Sequence, residues 1–329
     1  MASGRFAFAA LKPLVRRHAE IGILLIAVVL VVVFSTTSNG NWANAYNIGT
    51  ILQVTATLGL MSLGVALVIG VGEIGISVGS TFGMGALTYL LLVMRIDPVF
   101  AALAATAVGA AIGLFNGLLI TSTGTPSLII TLGTLMMFRG FAIALTDGFS
   151  FSVPYADRGG LTYAETGGGT IFGFNTAIIW LVLGIVGLTL VLRAMRFGNH
   201  RLATGGSSDS ALSRGIRVDR VKSAVFVLCG ALAAFAGSLE AGKLGFADGS
   251  MGRLMELQAI AACVLGGCLL AGGRISLSGA VAGAFVLSSI QSHLVVMAVQ
   301  PQWFILLLGI IVVAAALGDR ALRQWALRK

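Results

Sequence analysis

Proton transfer inside a bilayer needs carboxylates or imidazoles within apolar sequence, and covalent chemistry there needs a nucleophile beside an acid and a base. Only Arg139 and His293 lie clearly within the apolar runs of this chain, other charged groups falling near run ends, with Glu73 at the boundary of one run. Neither constellation is present. The one Gly-Lys pair, Gly242-Lys243, lacks both the upstream glycine and the following Ser or Thr of a phosphate-binding loop. The chain is therefore not expected to hydrolyse a nucleotide alone, and no catalytic, cofactor-binding or metal-binding residue is expected. Cys229, Cys263 and Cys268 carry no CxxC or Cys/His spacing and read as small apolar packing residues.

The elements around these residues are set by hydropathy. With 57% hydrophobic and only 10% charged residues, and a mean hydropathy of +0.99, the composition excludes a soluble globular domain. Runs long enough to cross about 30 Å of hydrocarbon, each about 20 residues as a helix, recur at 21–38, 49–70, 75–94, 98–120, 127–145, 174–194, 222–242, 256–273, 277–297 and 302–319. These runs are continuously apolar, whereas barrel strands alternate in polarity, so the expected fold is an all-α polytopic membrane protein with about ten transmembrane helices in a single domain, 1–329. No small-residue cleavage site follows the first run, which reads as a span and not as a removable signal.

All but five of the 21 Lys and Arg residues fall in 1–20, 193–222, at Arg274 and in 320–329; the exceptions are Arg95, Arg139, Arg158, Lys243 and Arg253. This bias predicts cytoplasmic N and C termini. The net charge of +9 thus reads as topology and does not argue for a nucleic-acid partner. Arg139 is expected to pair with Asp147 near the outer surface, Pro126 to start or kink the fifth helix, and His293 to serve packing.

One polar island, 197–222, separates two blocks of spans on the predicted cytoplasmic side. Gly205 and Gly206 are expected to break the chain before a short helix that Ser207, Ser208 or Asp209 caps and whose small apolar face is Ala211 and Leu212. Such an island is a natural docking surface, and an ordinary basic loop is the plainer reading. Gly79 with Gly83, and Gly279 with Gly283, form GxxxG pairs suited to close helix packing within the chain or to a dimer interface. Gly72 and Gly272 lie in phase with them, a coincidence that a chain with 45 glycines can also produce by chance.

Four ordered stretches resemble the permeases of sugar-type ATP-binding cassette importers, the ribose, xylose, arabinose and galactofuranose group. They are Ala203-Thr-Gly-Gly206 with Ala211 and Gly215-Ile216; Ala259-Ile-Ala-Ala262, Val264-Leu-Gly266-Gly267, Gly272-Gly273 and Gly279; Thr125-Pro-Ser127, Thr131-Leu-Gly133 and Arg139-Gly140; and Gly72 to Gly79. Together they cover the chain from about residue 50 onward. Gly75 stands where the family usually has aspartate, Cys268 where it has threonine, Ile275 where it has glycine and Ser207 where it has asparagine.

The resemblance implies a bacterial inner-membrane permease subunit, itself not an enzyme, that moves a monosaccharide-like solute delivered by an extracytoplasmic binding protein. It implies partners: two ATPase subunits or domains, which hold the ATP and magnesium, and a second permease chain, identical or not. The stretch Ala203, Gly205, Gly206, Ser207, Asp209, Ala211, Gly215 and Ile216 would couple to the ATPase. A neutral, hydroxyl-rich solute suits a lining of uncharged polar groups, for which Gln53, Thr57, Asn116, Ser127, Thr131 and Gln258 are candidates; a hydrogen bond between helices or to the backbone is the plainer reading of each. The outer loop, about 146–174, carries Asp147, Asp157, Arg158 and Glu165 among aromatics and is a candidate landing site for the binding protein. Autoinducer-2, a polyol, a nucleoside or a branched-chain amino acid remain alternative solutes. An ion-coupled secondary carrier is the alternative mechanism, disfavoured by so few intramembrane charges.

Overall fold

A computed structural model describes residues 19–38, 40–153, 170–171 and 174–327. Twelve helices occupy these residues: α1 (Ala19–Thr37), α2 (Ala45–Gly70), α3 (Val78–Val93), α4 (Pro98–Thr123), α5 (Ser127–Leu145), α6 (Thr176–Ala194), α7 (Arg196–Gly206), α8 (Ser208–Ser213), α9 (Val218–Leu244), α10 (Met255–Leu265), α11 (Leu277–Val296) and α12 (Gln302–Leu327). Two minimal antiparallel pairings complete them, β1 (Phe151–Ser152) with β4 (Phe246–Ala247) and β2 (Thr170–Ile171) with β3 (Phe174–Asn175).

The helix ends follow local chemistry. Asn44 caps α2 by accepting from the Tyr46 and Asn47 amides, and Asp97 caps α4 with Pro98 in its first turn. Ser276 caps α11 by accepting from Gly279 N. Gly124 and Gly245 end α4 and α9 in the left-handed conformation, at φ 65° and 69°. Pro126 lies one residue before α5, as its N-cap.

Six helices, α2, α4, α5, α6, α9 and α11, are long and apolar enough to cross a membrane; α3 and α10, and the apolar parts of α1 and α12, are shorter. All ten coincide with the apolar runs of the sequence, but the run 256–273 is helical only to Leu265. Eleven residues at 1.5 Å each reach about 16 Å, half a bilayer. The rest of that run is irregular backbone, with Gly267, Gly272 and Gly273 at φ 86°, 90° and 88°. Irregular backbone at membrane depth is tolerated only where protein covers it, and here α2, α7 and α11 do so.

The core is built around α2, which is buried along most of its length and touches α9, α11, α10 and α6. The long helix α9 crosses α3 and α4 at near backbone contact: an added Cβ at Gly85, Gly109 or Gly113 would meet the main chain of Ala234, Gly230 or Phe226. Close approach of this kind is how membrane helices gain packing energy where lipid is as apolar as leucine. Both GxxxG pairs work within the chain in this way. Gly79 and Gly83 seat the carbonyls of Gly252 and Met251, and Gly279 and Gly283 seat those of Gly266 and Ala262. By contrast α5 and α6 present Met136, Ile129, Leu190 and Leu183 outward, an apolar surface that suits lipid or another membrane chain.

Candidate functional site

The polar island resolves into a helical hairpin docked on two broken membrane helices. Gly205 and Gly206 do not break the chain ahead of the short helix; they form the last turn of α7. The break falls at Ser207, extended at φ −165°, whose hydroxyl accepts from Ser210 N at 3.3 Å and so caps α8. A helix can hold Gly205 and Gly206 because the packing of Gly205 outweighs the usual cost of glycine in a helix, about 1 kcal/mol. Asp209 lies in the first turn of α8, where the helix N-terminus favours an acid. Ala211 is buried and its carbonyl accepts from Ile216 N at 3.1 Å, while Gly215 turns the chain at φ 79° toward α9. Leu212 is 55% exposed, leaving an apolar contact free beside Ala211.

Gly205 sits where no side chain fits, against the Gly70 carbonyl and the Gly273 amide, which are themselves hydrogen-bonded at 3.1 Å. Gly272 in turn has no room for a Cβ between the Gly205 carbonyl and Gly72, 2.9 Å from the Gly72 Cα. The in-phase glycines of the sequence thus meet in space. Five glycines, Gly70, Gly72, Gly205, Gly272 and Gly273, join the C-terminal end of α2, the end of α7 and the irregular chain after α10 backbone to backbone.

Arg201, which sequence reasoning passed over, completes this junction. It is 6% exposed, with its guanidinium under Gly70 and beside Ile275. Burial pulls it below its ordinary value, with nearby Cys268 acting the other way; a guanidinium keeps its charge in proteins. Its Nε and Nη1 are buried without a hydrogen-bond acceptor. The sequence signal was its place in the first helical turn before Gly205, but nothing in the local sequence points it inward.

The second broken segment, 71–77 between α2 and α3, is held by three of the proposed lining residues. Ser127 Oγ accepts from Ile74 N at 3.0 Å and Thr131 Oγ1 from Ile76 N at 3.3 Å. Asn116 Nδ2 donates to Ser77 Oγ at 2.9 Å. The Ser127 and Thr131 hydroxyls supply backbone hydrogen bonds that the segment loses by leaving the helix, while Asn116 holds it through the Ser77 side chain. Asn116 Oδ1 is buried without a donor beside a cavity of about 10 Å³ lined by Gly75, Ser77 and Thr81, room for one water. Glu73 pairs with Lys222 at 2.5 Å, linking this segment to the start of α9. Gln53 and Thr57 are buried on α2, Thr57 facing Glu240 of α9, and Gln258 is half-buried on α10. They lie on different elements from the Asn116, Ser127 and Thr131 group.

Arg139 does not pair with Asp147. Its Nη2 lies 3.6 Å from Glu256 Oε2, in the first turn of α10, where Gly79 leaves space for the carboxylate. Asp147 instead occupies the turn after α5 at φ 50°. Glu256 is 7% exposed. His293 stacks on Phe34 with ring centroids 4.0 Å apart. The thiol of Cys263 donates to the Ser62 carbonyl at 3.1 Å, and all three cysteines are buried. Asp157, Arg158 and Glu165 of the outer loop lie outside the described residues.

The family model described as branched-chain amino acid transport system / permease component matches residues 47–316. A ribose import permease protein of Bacillus subtilis (strain 168) is 34% identical over 302 residues, 92% of each chain. An autoinducer 2 import system permease protein of Yersinia enterocolitica is 33% identical over 92% of this chain and 83% of its own. A xylose transport system permease protein of Escherichia coli (strain K12) is 31% identical over 96% of this chain and 95% of its own. No solved structure matches.

Proposed function

The chain belongs to the family of branched-chain amino acid transport system permease components, and on that premise we propose that it is the membrane-spanning permease subunit of an ATP-binding cassette importer for a monosaccharide-like solute. It is a multi-pass inner-membrane protein, a single transmembrane domain with about ten spans and both termini in the cytoplasm. The end-to-end similarity to ribose and xylose import permeases carries this reading. Autoinducer-2 is the second solute, favoured by the relative that imports it. Both are small, neutral and hydroxyl-rich.

In this reading the power stroke arrives from outside the chain. An ATPase subunit seats on α7 and α8, with Leu212 alone as the apolar contact, since Ala211 is buried against its own chain, and Asp209 and Arg214 at its edge. The glycine junction makes this hairpin continuous with the ends of α2 and of the segment after α10. A displacement of α7 therefore shifts two interrupted helices together, because backbone in contact with backbone leaves no slack for side-chain rotation. Interrupted helices are the elements best able to change tilt without disturbing their neighbours, and the hydrogen bonds from Ser127, Thr131 and Asn116 set how far 71–77 moves. The solute passes without chemistry, delivered from the outer face by a binding protein, through a path between this chain and a second permease chain.

Purification of the chain from its native membrane tests the proposal. Recovery of an ATPase subunit and a sugar-binding protein, with ATP-dependent uptake on reconstitution, is expected. Recovery of the chain alone, with uptake collapsed by an uncoupler while ATP is held constant, overturns it in favour of an ion-coupled carrier.

A further inference from the structure

Near the ends of α4 and α6 and the start of α9 lies an open trough of about 650 Å³, within the ~300–1,000 Å³ of ordinary small-molecule sites. Its lining changes character along its length. On α4 and α9, Leu114 and Leu228 lie toward the helix interiors and Thr121, Arg220 and Ser223 toward the helix ends, where Met195 and Phe197 add apolar surface. From Arg220 to Leu228 is about 12 Å of helix at 1.5 Å per residue, close to the ~15 Å of hydrocarbon in one leaflet. On the orientation proposed above, on which this inference rests, the polar end lies at the cytoplasmic headgroup level and the apolar end in the inner leaflet.

The polar end is also built for an anion. The start of α9 has no side-chain cap, so the positive end of its dipole, beside the lining residues Asp219 and Arg220, is not offset by a capping oxygen. Arg220 lines that end, and exposed Arg196 and Arg217 flank it in sequence, next to lining residues on α7 and α9. The one acid in the lining, Asp219, stands in the first turn of α9, where the helix dipole offsets its charge. A phosphate group at one end and an acyl chain along the other match this gradient, which a soluble metabolite or a uniformly apolar helix does not.

We propose that this trough is a binding site for an anionic glycerophospholipid of the inner leaflet, its phosphate at Arg220 and the α9 N-terminus and an acyl chain against Leu118 and Leu228. The site lies at the root of α7, so a seated lipid braces the base of the coupling hairpin.

The full-length chain, purified with its partners into nanodiscs of mixed phosphatidylglycerol and phosphatidylethanolamine, is assayed for retained lipid by native mass spectrometry. Phosphatidylglycerol is expected to be retained preferentially. Arg220→Gln is expected to lower that preference about fivefold, the effect of one cation at an anionic surface. Leu118→Trp, at a position 53% exposed and free of fold constraints, fills the trough and reduces retention of both lipids. Equal retention of the two lipids, or retention unchanged in both variants, overturns the proposal. So does protection of Leu118→Cys from a membrane-permeant maleimide by a protein partner when no lipid is retained. ATPase-subunit recovery and solute uptake are read on the same samples; their absence with the lipid preference intact counts against the transporter reading and leaves the lipid site supported.

Discussion

Gly273 N donates to the Gly70 carbonyl at 3.1 Å, tying the end of α2 to the irregular chain after α10. Gly205 of α7 lies against both atoms. The α7–α8 hairpin is thus registered on the membrane domain by main-chain contact, with Arg201 the side chain beneath it, which makes the two adjacent glycines of α7 unequal.

Replacing Gly205 with valine is expected to misplace α7 and weaken retention of the ATPase subunit at least tenfold, while membrane insertion is unchanged. Overpacking a close contact costs about 1–3 kcal/mol, enough for that factor. Gly206→Val is the control, since nothing lies within 4 Å of its Cβ position. Co-purification of the ATPase subunit with each variant checks this. Equal retention by the two variants contradicts the junction.

Gly215 makes a related but separate demand. Its φ of 79° costs a residue with a side chain about 1–2 kcal/mol. Gly215→Val is therefore expected to lower the thermal midpoint of the assembled complex and to weaken ATPase retention, with normal insertion. Retention and uptake both at wild-type level would remove this turn from the coupling segment.

Arg139 and Glu256 join α5 to the half-helix α10, with side chains only 19% and 10% exposed. Removing one partner of such a buried pair costs about 3–5 kcal/mol, whereas replacing both by apolar groups costs far less. Arg139→Met and Glu256→Met are each expected to destabilise the protein in detergent, and the double substitution to recover most of the loss. A thermal-unfolding double-mutant cycle measures this, and strictly additive losses would show that the two groups do not interact.

The ten apolar helices were legible because hydropathy is a local property. What each helix does at its ends was not. The sequence after Leu265 continues apolar through Leu270, so hydropathy does not mark the point where α10 stops; Gly266-Gly267 does, but in a chain with 45 glycines that signal is diluted, and the break is held because Gly266 fits against Gly279 and Gly273 against Gly70. Arg139 illustrates the same limit. Asp147 is its near neighbour along the chain, yet Glu256 is delivered by a segment far away in sequence, with Gly79 leaving the space. The motif around Ala203 and Gly205 was visible, but its internal geometry was inverted in expectation: the glycines are helical and Ser207 is the break. Arg201 escaped notice because a basic residue in a basic island normally faces water.

Ser127 provides a last discriminating test, because the sequence left it open between the solute path and a structural hydrogen bond, and the structure gives it a main-chain partner. Its hydroxyl receives the Ile74 amide of the irregular segment 71–77. Ser127→Ala leaves that buried N–H without an acceptor, at a cost of about 1–3 kcal/mol, whereas Ser127→Thr keeps the oxygen. If Ser127 holds the segment, alanine lowers the thermal midpoint and the maximal uptake rate together, threonine restores both, and the solute concentration for half-maximal uptake stays unchanged. If Ser127 touches solute, alanine changes that half-maximal concentration while the thermal midpoint holds. Measuring both quantities on both variants separates a strut from a lining residue, because only the strut couples uptake to the stability of the break.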